Sequence, residues 1–144
     1  MKYLSICSGI EAASVAFKGL GWEPVAFSEI DKFPSSLLDF RFPKVRNMGD
    51  ITGYMGWGDD VFSSADIIVG GPPCQSFSNA GKRLGLTDSR GELTLTYTRI
   101  IDHADRIRLR HGKEPSIVIY ENVPGLLSSK DNAFGCFLGA LAGE

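Results

Sequence analysis

The 144-residue sequence has few of the residues from which disulfide frameworks and metal sites are built. It contains three cysteines and two histidines. Because Cys7, Cys74 and Cys136 are odd in number and widely spaced, they fit neither a set of disulfides nor a zinc-ligand pattern. We therefore expect reduced thiols, no bound metal and a cytoplasmic location.

The sequence also lacks long apolar runs and a strong charge of either sign. No run approaches the roughly 20 apolar residues of a membrane-spanning helix, and Met1-Lys2-Tyr3-Leu4 leads into a predicted strand without a signal-peptide pattern. The formal net charge of −2 provides no general attraction to nucleic acids, so binding to them would need a local cationic patch. With 43% hydrophobic residues, the composition is that of one globular domain.

The central stretch of the chain, Ile67–Ser78, is an apolar run that ends at two glycines and continues through two prolines to a cysteine. The β-branched residues that open it predict a buried strand. The prolines fix the backbone after the strand and give Cys74 a defined position, as a nucleophile requires. The alternative is a structural cysteine in a turn, because free cysteine is among the most buried residue types.

Short apolar runs alternate with segments of helical periodicity along the chain. We predict strands at residues 3–7, 24–29, 45–51, 67–69 and 115–120, and helices at residues 10–17, from Asp31 onward, at 92–109 and at 131–141. The strand at residues 115–120 is expected to be buried. Residues 52–60 are interpreted as a glycine-rich and aromatic connection. Strands that alternate with helices in this way indicate a mainly parallel, doubly wound α/β sheet.

Polar residues follow the predicted strands at the places where parallel sheets bind ligands. These residues are Ser8, Gly9, Glu29, Asp50, Cys74 and Glu121. Because ligands of open α/β sheets bind beyond the carboxyl ends of the strands, we expect all of them to meet at one edge. Glu29 follows Gly9 by about 20 residues, the spacing at which such sheets place an acid for ribose hydroxyls.

Each of these residues also has a simpler interpretation when it is taken singly. Glu29 or Asp50 could cap a helix. Glu121 could be a solvated strand end, and Gly9 a plain turn.

Residues 79–91 form a polar segment with three glycines and more basic than acidic side chains. A loop of this length inside a compact domain is usually functional or disordered. Its glycines predict a loop that can close as a lid, and its cations Lys82, Arg83 and Arg90 are suited to phosphates.

At this point the motifs resemble those of a known family. Gly71-Pro72-Pro73-Cys74-Gln75-Ser76-Phe77-Ser78, followed later by Glu121-Asn122-Val123, closely resembles the cytosine-C5 DNA methyltransferases. Asp88-Ser89-Arg90-Gly91-Glu92-Leu93, Ser28-Glu29-Ile30-Asp31 and Gly49-Asp50-Ile51 resemble further motifs of that family, in the same order. The resemblance covers nearly the whole chain. It implies a class I, Rossmann-like methyltransferase fold with S-adenosylmethionine as the cofactor.

The resemblance also implies which residues contact the cofactor. They are Ser8, Gly9, Ile10, Glu29, Ile30, Asp50, Ile51 and Pro73. Ser8 and Gly9 would lie near the methionine part and Glu29 at the ribose hydroxyls. Asp50 and Ile51 would lie at the adenine.

The same resemblance implies the chemistry at the target base. Cys74 would add to carbon 6 of cytosine, while Glu121 would hydrogen-bond the ring at N3 and the exocyclic amine. Asn122 would fix the loop that carries Glu121. The residues expected at the DNA are Gln75, Ser78, Lys82, Arg83 and Arg90.

The sequence departs from the family at several positions. Cys7 stands where an aromatic residue is usual, Glu11 where a glycine is usual, and Ile30 where an aromatic residue is common. The first two differences make close approach of the backbone to the cofactor less assured. The chain ends at Glu144, before the family's arginine motif, target-recognition domain and final cofactor motif.

We therefore expect residues 1–144 to be the catalytic and cofactor-binding region of a truncated or split enzyme. The target-recognition domain would be absent, the sheet would be incomplete at its C-terminus, and a complementing C-terminal chain would be a partner besides double-stranded DNA. A non-catalytic cofactor- or DNA-binding module is the alternative, and the same chemistry could serve RNA. A thiol hydrolase is disfavoured because neither His103 nor His111 follows a predicted strand.

Overall fold

Five parallel strands form a single sheet in the order β3-β2-β1-β4-β5. The structure is a computed structural model that describes residues 1–73, 89–128 and 132–143, with the backbone alone for residues 89–92. The strands are β1 Lys2–Ile6, β2 Glu23–Ser28, β3 Arg46–Asn47, β4 Ile67–Gly70 and β5 Ile117–Tyr120. The mainly parallel α/β fold predicted from the sequence is confirmed.

Helices connect the strands as the alternating pattern predicts. They are α1 Ala12–Phe17, α2 Lys32–Arg41, α3 Asp59–Ser64, α4 Ser89–Arg110 and α5 Ala133–Ala142, with 3₁₀ turns at Lys18–Leu20, Ile51–Gly56 and Pro124–Ser128. Asp31 caps α2 by accepting a hydrogen bond from the Phe33 amide, and Gly21 ends the first helical segment in the left-handed region with φ 65°. In the described residues, no helix has both the length and the apolar character needed to cross a membrane.

Several predicted boundaries are wrong. The expected strand over residues 45–51 is reduced to β3, because Asp50 instead caps the 3₁₀ turn that begins at Ile51. The expected connection over residues 52–60 includes that turn and the start of α3, and the rest of α3 was not predicted. Helix α4 begins at Ser89 rather than Glu92, so the end of the predicted loop is helical. Strand β5 was expected to be buried, but it is an outermost strand of the sheet and Ile117 is 50% exposed.

The two faces of the sheet are covered to different extents. On one face, Leu4, Ile6 and Ile68 belong to a large core cluster that also includes side chains of α3, α4 and α5. On the other face, a smaller cluster is built on Tyr3, Ile67 and Val69, against which α1 and Trp22 pack. Helices on both faces are what a doubly wound parallel sheet requires.

The register of the strands fixes where the predicted site residues lie. Ile6 pairs with both Ser28 and Gly70, and Gly70 also pairs with Tyr120. The segments that follow β1, β2, β4 and β5 therefore leave the sheet at the same edge.

Candidate active site

The loop after β1 is held in an uncommon backbone conformation. Cys7, Gly9 and Glu11 have φ values of 52°, 54° and 66°, in the left-handed region that non-glycine residues seldom adopt. Ser8 fastens this loop to β2, because its amide donates to the Ser28 carbonyl at 3.0 Å and its hydroxyl accepts from the Ser28 amide at 3.2 Å. The loop is therefore a defined platform.

Glu29 joins this platform to the segment after β2. Its Oε2 accepts from the Gly9 amide at 2.8 Å and its Oε1 from the Asp31 amide at 2.7 Å. Asp31, rather than Glu29, caps α2, so the simpler interpretation of Glu29 as a helix cap is wrong. The structure brings together two residues predicted at the cofactor, Gly9 and Glu29.

Asp50 lies in the segment after β3 and has a structural role of its own. Its carboxylate caps the 3₁₀ turn by accepting from the Thr52 amide at 2.8 Å, and the residue is exposed. The cap interpretation is thus correct for Asp50. One carboxylate oxygen makes this bond, and a carboxylate has further acceptor capacity.

The three isoleucines predicted at the cofactor differ in exposure. Ile30 is 72% exposed and Ile10 is 55% exposed, whereas Ile51 is 4% exposed and packs in the large core cluster. The Ile10 carbonyl accepts from Nη1 of Arg41 at 2.9 Å, which ties the loop after β1 to the end of α2. Ile10 and Ile30 therefore offer apolar surface near the edge, and the Ile51 side chain does not.

Cys7 is a half-buried thiol at this edge. Burial, followed by the charges of Glu29 and Asp50, raises its pKa to about 11. With this pKa, the Cys7 thiol is almost entirely neutral at physiological pH. Because the thiolate is the reactive form, Cys7 is unsuited to nucleophilic chemistry.

Glu11 is fully buried, although it replaces the glycine usual in the resembling motif. Its carboxylate accepts from Tyr3 Oη at 3.2 Å, Ser5 Oγ at 2.8 Å and the Ser14 amide at 3.1 Å. The side chain thus reaches back along β1 and caps α1. It turns away from the carboxyl end of the sheet, so it does not fill the space that a glycine would leave there.

Burial raises the pKa of Glu11 despite the opposing effect of these hydrogen bonds and of Arg41. The folded protein therefore holds this proton more tightly than the unfolded chain does. We expect the free energy of unfolding of the wild-type protein to fall relative to that of Glu11→Gln as the pH rises above about 4.3, the ordinary pKa of glutamate. One proton changes this free energy by at most about 1.4 kcal/mol per pH unit.

Urea unfolding at a series of pH values from about 4 to 8 measures this difference. Glu23→Gln, at an exposed glutamate that begins β2, is the control and should run parallel to the wild-type protein. The free energy of unfolding of the wild-type protein minus that of Glu11→Gln should fall as the pH rises. If this difference stays constant or increases, the buried carboxyl does not gain proton affinity on folding.

Glu121 lies beside the glycines that end β4. Its amide donates to the Gly70 carbonyl at 2.9 Å, and a Cβ atom added to Gly71 would collide with Glu121 Oε2. Asn122 fixes the same loop: its Nδ2 donates to Tyr120 Oη at 2.7 Å, and its Oδ1 accepts from the Val123 amide at 2.8 Å. The exposed Glu121 carboxylate therefore lies against Gly71, close in sequence to Cys74.

Other predicted site residues are not placed by the structure. Cys74, Gln75, Ser78, Lys82 and Arg83 lie outside the described residues, and Arg90 lies in the first turn of α4 with its side chain outside the description. Pro73 is exposed at the end of the described segment. Among the described residues, no group of three His, Cys, Asp or Glu side chains could hold a metal ion.

Asn47 is part of this edge but was not predicted from the sequence. Its side chain forms hydrogen bonds with the amide and carbonyl of Glu29 and with the amide of Gly49, the residue before Asp50. An asparagine in a weak strand, two residues before Gly49, was the available signal, because Asn side chains commonly bond to nearby backbone.

The parallel sheet, with carboxylates after β2 and β3 and a glycine loop after β1, defines a Rossmann-like methyltransferase fold. Residues 1–142 match the sequence profile of the C-5 cytosine-specific DNA methylases. The chain belongs to this family of DNA methyltransferases.

Two curated relatives and one crystal structure illustrate the similarity. Type II methyltransferase M.NgoPII of Neisseria gonorrhoeae is 35% identical over 133 residues, which is 92% of this chain and 36% of that protein. DNA N-6-adenine-methyltransferase of Escherichia phage P1 is 50% identical over 146 residues, covering 99% of this chain and 19% of that protein. The crystal structure of a DNMT2 mutant from Spodoptera frugiperda has a TM-score of 0.64 and 28% identity, covering 97% of this chain and 41% of that one.

The chain thus spans less than half of each of these three proteins. The phage protein is named for adenine methylation, but the name describes a protein of which this chain matches 19%. It does not assign that activity to the matched part.

Proposed function

We propose that this chain is the catalytic and cofactor-binding region of an enzyme that transfers a methyl group from S-adenosylmethionine to carbon 5 of cytosine in DNA. The observation that carries this proposal is the arrangement at one sheet edge. The Gly9 loop and Glu29 are hydrogen-bonded to each other. Glu121 lies against Gly71, in the segment that leads to Cys74.

The residues at this edge suit the adenosine half of the cofactor. Each carboxylate oxygen of Glu29 accepts one hydrogen bond from a backbone amide. A carboxylate can accept more than two hydrogen bonds, so Glu29 has acceptor capacity left for ribose hydroxyls. Asp50 is exposed, and Ile30 offers 72% of its surface for apolar contact with a base. Bound S-adenosylmethionine would supply the methyl group.

The chemistry of cytosine explains the thiol and the carboxyl group. Carbon 5 is a poor nucleophile until the Cys74 thiolate adds at carbon 6 and pushes electron density to carbon 5. Glu121, hydrogen-bonded at N3 and the exocyclic amine, would stabilise the negative charge that enters the ring. After carbon 5 has accepted the methyl group, loss of its proton and departure of the Cys74 thiolate restore the aromatic ring. Methylation of an exocyclic adenine amine needs no such thiol addition, so the Cys74–Glu121 pair favours cytosine.

DNA contacts are proposed for the segment that follows the nucleophile. The target base has to leave the duplex to reach Cys74 and Glu121, at a cost of a few kcal/mol. Ser78 would contact the DNA backbone, and Gln75 would also contact the DNA. Lys82, Arg83 and Arg90 would bind phosphates, which would make the association salt-dependent.

A complementing C-terminal region is proposed as the partner of this chain. The outer side of an outermost strand is a template for pairing with a further strand, and β5, next to β4, is such a strand in the described structure. Further strands, from the same polypeptide or from a separate chain, would continue the sheet there.

Titration with S-adenosylmethionine tests the cofactor site. We expect Glu29→Ala to weaken binding by about 1.5 to 3 kcal/mol, because a charge-assisted hydrogen bond to the ribose is lost, which is roughly 10- to 150-fold in Kd. Isothermal titration calorimetry measures this.

Two further variants make that result interpretable. Glu23→Ala, at an exposed glutamate that begins β2, should bind like the wild-type protein. Glu29→Gln retains an acceptor for the Gly9 or Asp31 amide and separates loss of charge from loss of the loop contacts. If Glu29→Ala binds the cofactor as tightly as the wild-type protein does, the ribose assignment is wrong.

A further inference from the structure

The Asn47 side chain uses every hydrogen bond that an asparagine amide can make. Its Oδ1 accepts from the Glu29 amide at 3.0 Å and from the Gly49 amide at 3.1 Å. Its Nδ2 donates to the Glu29 carbonyl at 3.0 Å and to Ser35 Oγ at 3.2 Å. An amide side chain has two donor hydrogens and two acceptor lone pairs, so all four are satisfied. One side chain thus holds both backbone groups of Glu29 and the residue before Asp50.

The backbone pairing of β3 with β2 is short. Its ladder with β2 consists of two residue pairs, Ala26 with Arg46 and Phe27 with Asn47. After Asn47 the chain turns, and Gly49 has φ 72°, a conformation that glycine adopts without strain. The hydrogen bonds of the Asn47 side chain connect the two segments beyond the end of the ladder.

A second side chain supports the same turn. Ser28 Oγ donates to the Gly49 carbonyl at 2.6 Å. Gly49 is therefore held at its amide by Asn47 and at its carbonyl by β2, directly before Asp50. Both contacts therefore act on the residue that precedes Asp50.

We propose that Asn47 is a positioning residue that sets the relative placement of the Glu29 and Asp50 carboxylates, so that both engage one adenosine group. This inference rests on the proposed function, because it assumes that these carboxylates bind the nucleoside part of the cofactor. Asn47 itself would not touch the ligand. Its chemistry is specific: aspartate retains the acceptor but cannot donate to the Glu29 carbonyl.

Adenosine and 2′,3′-dideoxyadenosine are the probes for this inference, since they differ in the ribose hydroxyls. Titrations of the ¹⁵N-labelled protein followed by NMR give both dissociation constants, even when binding is weak. The wild-type protein should prefer adenosine by about tenfold or more, as expected for a charge-assisted hydrogen bond. In Asn47→Ala and in Asn47→Asp, the preference should fall towards one.

The preference separates positioning from a general loss of structure. A merely structural asparagine would weaken both nucleosides by the same factor and leave their ratio unchanged. Asn132→Ala, at the start of α5 where the side chain makes no capping hydrogen bond, is the matched control and should keep the wild-type ratio. Adding Asn47→Ala to Glu29→Ala should change the ratio no further, because both act through the same carboxylate.

Amide hydrogen exchange gives a second measurement that needs no ligand. Exchange should speed up at Glu29 and Gly49 in Asn47→Asp if the donor bonds are what hold these segments. The Ser8 amide, bonded to the Ser28 carbonyl, should be unaffected.

The possible failures can be told apart. If Glu29→Ala loses the preference for adenosine while both Asn47 variants keep it, the positioning role is overturned and the proposed cofactor site stands. If the wild-type protein does not distinguish the two nucleosides, the ribose role of Glu29 fails, and this inference fails with it.

Discussion

Replacing Cys74 with alanine is expected to abolish covalent capture of DNA that carries 5-fluorocytosine at the target position. Fluorine at carbon 5 cannot leave as a proton does, so after methyl transfer the bond between the thiol and carbon 6 persists. Capture requires the complementing C-terminal region, supplied in the same polypeptide or as a second chain, together with S-adenosylmethionine. A protein–DNA complex that survives denaturing electrophoresis is the readout.

The other two cysteines provide matched controls. Cys136 is an exposed thiol, and Cys7 is a half-buried one whose raised pKa keeps it neutral, so Cys136→Ala and Cys7→Ala should both retain capture. Glu121→Gln should slow capture by roughly 10²- to 10⁴-fold, because the acid is lost but the nucleophile remains. Capture that persists in Cys74→Ala, or that maps to another cysteine, would overturn the proposed mechanism.

Gly70→Ala is expected to destabilise the fold, whereas Gly71→Ala is expected to leave the fold nearly unchanged. A Cβ atom at Gly70 would lie 2.8 Å from the Ile6 carbonyl oxygen and 2.9 Å from Cε2 of Tyr97. The carbonyl belongs to a central strand and the ring to the core, so neither can move freely. Overpacking of this kind typically costs about 1 to 3 kcal/mol.

At Gly71 the added methyl group would instead collide with the end of the exposed Glu121 side chain and lie 3.3 Å from the Glu121 carbonyl oxygen. The carboxylate can swing away and the carbonyl contact needs only a small backbone shift, so the loss of stability should be about 0.5 kcal/mol, smaller than in Gly70→Ala. Capture of 5-fluorocytosine DNA should slow as it does in Glu121→Gln, because the acid is displaced from the segment leading to Cys74.

Urea unfolding and the capture assay together test this contrast between adjacent glycines. Equal losses of stability in the two variants would show that Gly71 is part of the core packing. Normal capture by Gly71→Ala would show that the position of the Glu121 carboxylate beside Gly71 is unimportant for the reaction.

Sequence patterns predicted the parts of this protein that depend on local composition. The β-branched run before Gly70 and the apolar run before Glu29 are strands because such residues suit a buried pleated surface. Their parallel arrangement followed from the helices between them. Since parallel strands end at one edge, the meeting of Gly9 with Glu29 followed without any knowledge of tertiary contacts.

Features that depend on tertiary contacts were not predictable in this way. Helix α3 has six residues, too short for a clear helical period. In the sequence, Glu11 looked like an obstacle to the cofactor. The groups that hold its carboxylate are hydroxyls on β1 and an amide of α1, and they come together only in the folded protein. Asn47 gave no more than a turn signal, because its four bonds reach Glu29 after β2 and Ser35 of α2 as well as its own segment.

The left-handed residues after β1 also bear on how a ligand would be received. A non-glycine residue in this region costs roughly 1 to 2 kcal/mol, and Cys7 and Glu11 both adopt it. The strain is offset by the contacts that Glu11 makes with β1 and α1. The loop is consequently preorganised, and a ligand docking there would lose little affinity to ordering the backbone.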